Sequence, residues 1–187
     1  MATLPEQFHI AEAELVDRQA YVTSRTRSLI PLQRKLTGQA YDFRVRSTLM
    51  DAMEFKPVIA RLSAIQRSND TIQMSLPIYS ESESGNKFTS EAATTGQYKV
   101  ALGSTENITI GDFFTFMGHN KAYQVTDIVE NKIEFAPNLV ANVTNSEVLI
   151  FNGMKFSFYL QGRPQRYSVA GGDNLMEIEL DLVERWI

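Results

Sequence analysis

Residues 96–151 most constrain how this chain can fold, because they have the pattern of several short β-strands and interrupt a segment with a different pattern. A helix-like segment and a few strands precede it. A strand-rich stretch, residues 154–186, follows it and has too few apolar positions to form a core alone. This layout predicts a mainly-β fold: a β-sandwich with one short helix and an inserted small OB-like β-barrel.

The segments that flank this block carry the pattern of strands. Residues 41–46 alternate apolar and charged side chains, which predicts a strand with one apolar face. Residues 72–78, 156–160 and 176–182 alternate in the same way and predict three more strands. Residues 1–40 lack a clear period, so we expect an extended arm or irregular edge strands there.

One segment has helical spacing instead. Apolar residues recur from Phe55 to Ile65 in the pattern of an amphipathic helix that lays one apolar stripe on a sheet. Because a proline deep inside a helix removes a hydrogen bond, we expect the regular helix to begin near Lys56, with Pro57 in its first turn.

Residues 80–87 have the composition of a solvated linker and mark a domain boundary. Beyond them, about five or six short strands separated by turn signals predict a small closed barrel of the OB type. The predicted strands span residues 98–102, 107–110, 113–117, 122–129, 132–135 and 147–151. We therefore expect residues 1–80 and 154–187 to form one β-sandwich domain and residues 88–150 to form the inserted barrel.

Composition argues against most catalytic and metal chemistry. The chain has no cysteine, and its two histidines, His9 and His119, are far apart in sequence. Glu177, Glu179 and Asp181 share one face of the last predicted strand, a spacing that suits a hard cation but also arises on any strand with one wet face. We expect no metal site, no cofactor and no catalytic residue, and hence no enzyme.

Charge is distributed unevenly along the chain. Residues 1–67 carry ten Lys and Arg against seven Asp and Glu, whereas residues 68–187 carry eight against fifteen. Either the two halves attract each other, or the basic surface of one subunit faces the acidic surface of its neighbour. The acidic face of the last strand is expected to meet the Arg44 and Arg46 face of an adjacent strand or subunit. The subunit-interface candidates are Arg25, Arg27, Arg44, Arg46, Glu177, Glu179 and Asp181.

An OB-like barrel invites a comparison with nucleic-acid-binding modules, since exposed aromatic rings could stack on bases. Residues 88–150, however, carry three lysines against seven acids, a surface that repels phosphate. The aromatic residues Phe113, Phe114, Phe116 and Tyr123 are therefore expected to pack in a core, and no nucleic-acid partner is expected. No stretch approaches the ~20 apolar residues of a membrane span, and no signal peptide is visible, which predicts no membrane contact and folding in a cytoplasm.

The order of these elements carries a family resemblance. An arm rich in Arg and Gln is followed by YDFRVR, FKPVIARLSAIQ and TIQMSLPIY, then by a barrel containing GDFFTFMGHNKAYQVTDI and closing with VLIFNGMKF, then by YLQGRPQRYSVAGGDNLMEIELDLVERW. This arrangement resembles the distal tail proteins of tailed bacteriophages whose β-sandwich carries an OB-fold insertion. The resemblance spans nearly the whole chain and rests on element order and turn-like signatures.

The resemblance implies a function that the residues alone do not. Such proteins form hexameric rings that join the tail tube to the tail tip or baseplate and provide attachment points for fibres. It implies a virion structural protein, made in the host cytoplasm and located in the virion tail, whose partners are copies of itself, the tail tube protein, and baseplate hub or tail fibre proteins. The chain has no module like the carbohydrate-binding insertions of longer relatives, so direct receptor recognition is not expected.

Two alternatives stay open. Within the same class, the chain is a baseplate wedge or tail-completion protein. In a different class, it is a monomeric OB-type module that binds an oligosaccharide or a nucleic-acid single strand. The oligomeric state of the purified protein separates the two classes most directly.

Overall fold

A computed structural model describes residues 3–6, 8–25, 31–160, 166–170 and 175–185, with the backbone alone at residues 20, 25, 31–37 and 170. These residues form two antiparallel sheets and one helix, which confirms the predicted mainly-β fold. The elements are β1 (Ile10–Arg25), β2 (Pro31–Ser47), α1 (Ala52–Ser68), β3 (Ile72–Met74), β4 (Lys87–Phe88), β5 (Lys99–Ala101), β6 (Phe113–Phe116), β7 (Ala122–Val129), β8 (Lys132–Ala136), β9 (Val148–Ile150), β10 (Phe156–Tyr159), β11 (Arg166–Ala170) and β12 (Leu175–Glu184).

The first sheet has the strand order β1-β2-β12-β10-β3, and β11 pairs with β12 beside β10. Its inward residues alternate clearly on β12, where Ile178, Leu180 and Leu182 are fully buried. Helix α1 contributes its apolar stripe to the same core: Phe55, Val58, Leu62 and Ile65. In the described residues, helix α1 is therefore the layer that covers this core. The sequence had instead predicted the second sheet of a sandwich in that place.

Helix α1 begins earlier than the sequence predicted. Asp51 caps it, since its carboxylate accepts hydrogen bonds from the backbone N–H groups of Met53 (2.8 Å) and Glu54 (2.9 Å). The predicted start near Lys56 is wrong, because these capped donors allow a full turn before Pro57. Pro57 consequently lies in the second turn and removes the helical donor to the carbonyl of Met53, a residue that is 78% exposed.

The second sheet has the order β4-β9-β6-β7-β8-β5. A bridge between Thr89 and Leu102 joins its two outer strands, and the N–H of Gly103 donates to the carbonyl of Phe88 at 3.0 Å. The sheet thus closes into a six-stranded antiparallel barrel, one strand more than the five of an OB barrel. Strand β4 lies at the end of the predicted linker, and the predicted strand at residues 107–110 is a turn region instead.

Strand β6 joins the two cores, because all four of its residues are buried. Phe114 and Phe116 point into the barrel core, together with Tyr123. Phe113 points the other way, and its ring packs against Tyr41 of the first sheet with the centroids 5.6 Å apart. The four aromatic residues are therefore core residues, as predicted, but they serve two different cores.

The two chain crossings between the sheets lie side by side. The N–H of Gly153 donates to the carbonyl of Ser80 at 2.8 Å, and the hydroxyl of Ser75 donates to the carbonyl of Met154 at 3.3 Å. An inserted domain requires its two ends to be close together in this way. The barrel segment is not wholly self-contained, however, since Phe113 and Ala122 belong to the core of the first sheet.

Candidate assembly surface

The most prominent surface feature is the long hairpin of β1 and β2. The two strands pair from Ile10 opposite Ser47 to Arg25 opposite Pro31. On its other side, β2 pairs with β12 only from Asp42 to Arg46. At ~3.4 Å per residue, residues 31–38 alone span about 25 Å, and all of them lie beyond that pairing. A two-stranded ribbon of this kind is marginally stable in water by itself.

Strand β1 is an edge strand, and its outer edge has no strand partner among the described residues. Its first part carries charged side chains from Glu12 to Arg18, which discourage unspecific strand pairing. Residues 19–24, with the sequence QAYVTS, carry no charge at all. Tyr21 and Val22 are 48% and 51% exposed and, as successive strand residues, face opposite sides of the ribbon. The projecting part of the edge is thus uncharged, β-prone and accessible on both faces.

The projecting part of β2 offers a second open edge. Residues 31–35 pair with β1 on one side, residues 36–38 lie at a register shift, and the pairing of β2 with β12 on the other side begins only at Asp42. Within the described residues, the ribbon therefore presents two different strand edges, one on β1 and one on β2. Such a ribbon can accept a strand on each side.

A ladder of ion pairs crosses the outward face of the first sheet. Arg46 pairs with Glu12 on β1 and with Glu177 on β12 (3.4 Å). Arg44 pairs with three carboxylates: Glu14 at 3.6 Å, Glu179 at 3.1 Å and Asp181 at 3.4 Å. The hydrogen bond to Asp181, with the attraction of the nearby carboxylates, raises the pKa of Arg44 above its ordinary value. Arg166 on β11 adds a pair with Glu179 at 3.0 Å.

The structure thus brings five of the seven predicted interface residues together within one chain. Arg44 and Arg46 of β2 face Glu177, Glu179 and Asp181 of the adjacent strand β12. Arg25 ends β1 with its side chain outside the described residues, and Arg27 lies outside them entirely. Their part in a subunit interface stays a prediction. Over the described ranges, no group of three or more His, Cys, Asp or Glu residues is arranged to hold a metal ion.

A buried ion pair at the base of the hairpin escaped the sequence analysis. The ammonium of Lys121, before β7, pairs with the carboxylate of Glu184 at the end of β12, and neither side chain is exposed to solvent. Lys121 also donates to the carbonyl of Gln39 at 2.9 Å and lies 4.8 Å from the ring centroid of Tyr41. Glu184 accepts the N–H groups of Tyr41 (3.1 Å) and Ala122 (2.9 Å).

Two opposing effects act on the pKa values of this pair. Burial lowers the pKa of Lys121 and raises the pKa of Glu184, while the attraction between the two groups opposes both shifts. One sequence signal could have revealed the site. Glu184 continues the inward positions of β12 after Ile178, Leu180 and Leu182, so it is a charged residue in a core register.

Comparisons with known proteins identify no family. No known family model matches the chain, and no curated protein matches its sequence. Helix α1, the one helix in the part of the chain that the structure describes, is too short and too polar to cross a lipid bilayer. The function is therefore inferred below from the geometry of the hairpin and of the two sheets.

Proposed function

We propose that this protein is a structural subunit that assembles with its own copies through the β1–β2 hairpin, and that the assembly is the ring of a bacteriophage tail tip. The ring connects the tail tube to the baseplate or the tail fibres. The observation that supports this proposal is the projecting ribbon with two open edges, one of them free of charge along residues 19–24. The element order that resembles distal tail proteins supplies the location in the virion.

Two different open edges favour a ring over a symmetric dimer. When the β1 edge of one subunit pairs with the β2 edge of the next, every subunit makes the same two contacts. Such head-to-tail contacts generate a closed ring if the rotation between neighbours closes, and a filament if it does not. Backbone hydrogen bonds between ribbons supply the affinity, as in other cases of strand addition.

Charge has the smaller part in this assembly. Arg44 and Arg46 already pair with carboxylates of their own chain, so they are not available as unpaired charges for a neighbour. Exposed ion pairs add little affinity in any case and mainly fix register. Burial of Tyr21 and Val22 between neighbouring ribbons, together with the new backbone hydrogen bonds, then supplies most of the attraction.

One observation favours the alternative from a different class. The barrel has an open groove of about 310 Å³ whose lining includes Tyr98, Lys99, Lys132 and Glu91. Tyr98 is half-exposed, and an exposed aromatic ring among polar groups suits a sugar ring. In this alternative the protein is a monomer that binds an oligosaccharide through the barrel.

A matched pair of variants tests the hairpin contact. Val22→Lys places a charge on the open edge of β1, whereas Val129→Lys places the same charge on a barrel strand where valine is equally exposed, at 51%. Light scattering of the parent protein should show a closed multimer at high concentration. Val22→Lys should reduce the multimer, and Val129→Lys should leave it intact. Monomers at all concentrations, both alone and with a tail tube protein, would contradict the proposed function.

A further inference from the structure

The buried ion pair lies where three parts of the molecule meet. Lys121 belongs to the barrel, just before β7, and Glu184 ends β12 of the first sheet. The carbonyl that Lys121 contacts belongs to Gln39, three residues before Asp42, where the pairing of β2 with β12 begins. Gln39 in turn donates from its side-chain amide to Asp17 on β1 at 2.7 Å. The pair therefore connects the barrel, the last strand and both strands of the hairpin.

A buried ion pair is not a simple way to gain stability. Taking both charges out of water costs about as much free energy as their attraction returns, so apolar residues of similar size often serve stability as well. The pair instead constrains the relative positions of the groups that it joins. The ammonium and the carboxylate have fixed partners at defined distances: the Gln39 carbonyl and the N–H groups of Tyr41 and Ala122.

The other contacts between the first sheet and the barrel include a longer hydrogen bond, from the Tyr41 hydroxyl to the Ala136 carbonyl at 3.4 Å, and several aromatic contacts. The ring of Phe113 contacts the rings of Tyr41, Tyr79 and Phe156 with centroids 5.6–5.8 Å apart. Apolar burial depends on the area covered and hardly on orientation. These rings hold the barrel against the first sheet, but ring pairs tolerate centroid separations of roughly 4.5–7 Å, so they define its angle less tightly than the charged hydrogen bonds do.

From these contacts we infer that the Lys121–Glu184 ion pair sets the orientation of the barrel on the first sheet and ties it to the root of the hairpin, so that barrel and hairpin move as one body. This inference concerns a single subunit and does not rest on the proposed ring. If the ring is correct, the pair gives every subunit the same angle between the ribbon and the barrel.

Spin labels measure this orientation directly, because the chain has no cysteine and each introduced cysteine is unique. One label pair spans the junction, at Ala60→Cys on α1 and Glu106→Cys on the barrel, both exposed. A second pair, at Glu106→Cys and Asn145→Cys, lies within the barrel and serves as the control. Distances are measured by electron–electron double resonance in the parent protein and in the Lys121→Met/Glu184→Leu double variant.

The parent protein should give one narrow distance distribution for each label pair. In the double variant, the distribution across the junction should broaden, while the distribution within the barrel stays narrow. An unchanged narrow distribution across the junction in the folded double variant would overturn the inference, because the aromatic contacts would then suffice to fix the angle.

A second variant covers the case in which the double variant does not fold. Glu184→Gln keeps the shape of the side chain but removes its charge. Amide hydrogen exchange of Tyr41 and Ala122, whose N–H groups donate to Glu184, should then become roughly tenfold faster or more, with the amides of the barrel core unchanged. Unchanged exchange at these two amides would contradict the inference.

Discussion

Lys121 and Glu184 form an ion pair, fully shielded from solvent, between the barrel and the last strand of the first sheet. Removing one partner leaves an uncompensated buried charge, so Lys121→Met alone or Glu184→Leu alone should destabilise the protein by about 3–5 kcal/mol. The double variant should be close to the parent protein in stability. Urea unfolding measures both effects.

An exposed ion pair provides the control. Arg166 pairs with Glu179 on the surface, with 62% of the arginine side chain exposed. Arg166→Met should change the free energy of unfolding by no more than about 1 kcal/mol. Equal effects of Lys121→Met and Arg166→Met would contradict the cost expected for leaving the Glu184 carboxylate buried without its partner.

Two buried tyrosines predict a loss of stability in alkali. Burial raises the pKa of Tyr123 to about 12, and it raises that of Tyr41 further, assisted by the negative charge of Glu184. Below pH 10 both folded and unfolded states hold these protons, so the stabilisation is fully present. Above it the unfolded state releases them first, so stability should fall as pH rises to about 12, by about 3 kcal/mol for Tyr123 alone.

Lysine titration does not hide this effect. The lowered pKa of Lys121 acts at pH values below its ordinary 10.5, so it cannot offset the loss between pH 10.5 and 12. Urea unfolding in that range should show a falling midpoint, and Tyr123→Phe should make the fall shallower. A midpoint that stays constant between pH 10.5 and 12 would contradict the burial of these phenols.

Phe113 and Phe114 are adjacent in sequence but pack in different cores, which predicts different consequences of truncation. Phe113→Ala should cost about 3–5 kcal/mol and weaken the junction, so that barrel and first sheet unfold in two calorimetric transitions. Phe114→Ala should cost a similar amount but lower the stability of the barrel in particular. Identical single transitions for both variants would show that the two cores form one cooperative unit.

The position of Pro57 predicts a stabilising substitution. Pro57→Ala restores a helical N–H donor to the carbonyl of Met53 and relieves a residue that is unfavourable inside a helix. We expect a gain of about 1–3 kcal/mol in the free energy of unfolding. Lys56→Ala, an exposed neighbour on the same helix, is the control and should have an effect near zero. A loss of stability in Pro57→Ala would show that the proline is required by its surroundings.

Runs of apolar residues allowed β5 to β9 and β12 to be predicted from the sequence, whereas β4 was missed and the strand predicted at residues 107–110 is a turn region. On β8 and β12 one face is buried, and the alternation of side chains records that burial. The same signal is absent from the projecting ribbon of β1 and β2, because Tyr21 and Val22 are both exposed although they face opposite sides. The long hairpin, whose register shifts twice, was therefore predicted only as an arm or irregular edge strands.

Strand β11 escaped the sequence analysis for the same reason, since its residues Arg166, Tyr167, Ser168 and Val169 are all exposed. The buried ion pair depends on residues 63 positions apart in the chain. No local sequence pattern connects residues so far apart. Only the inward position of Glu184 on β12 indicates the buried ion pair. The ion-pair ladder was partly predictable, because strand periodicity places Arg44 and Arg46 on one face of β2 and the three carboxylates on one face of β12.

Electron microscopy of the purified protein tests the central claim most directly. At high concentration, alone or with a tail tube protein, the parent protein and Val129→Lys should show closed rings of uniform size, and Val22→Lys should show few or none. Single particles without rings under both conditions would contradict assembly, and intact rings in Val22→Lys would contradict assembly through the open edge of β1.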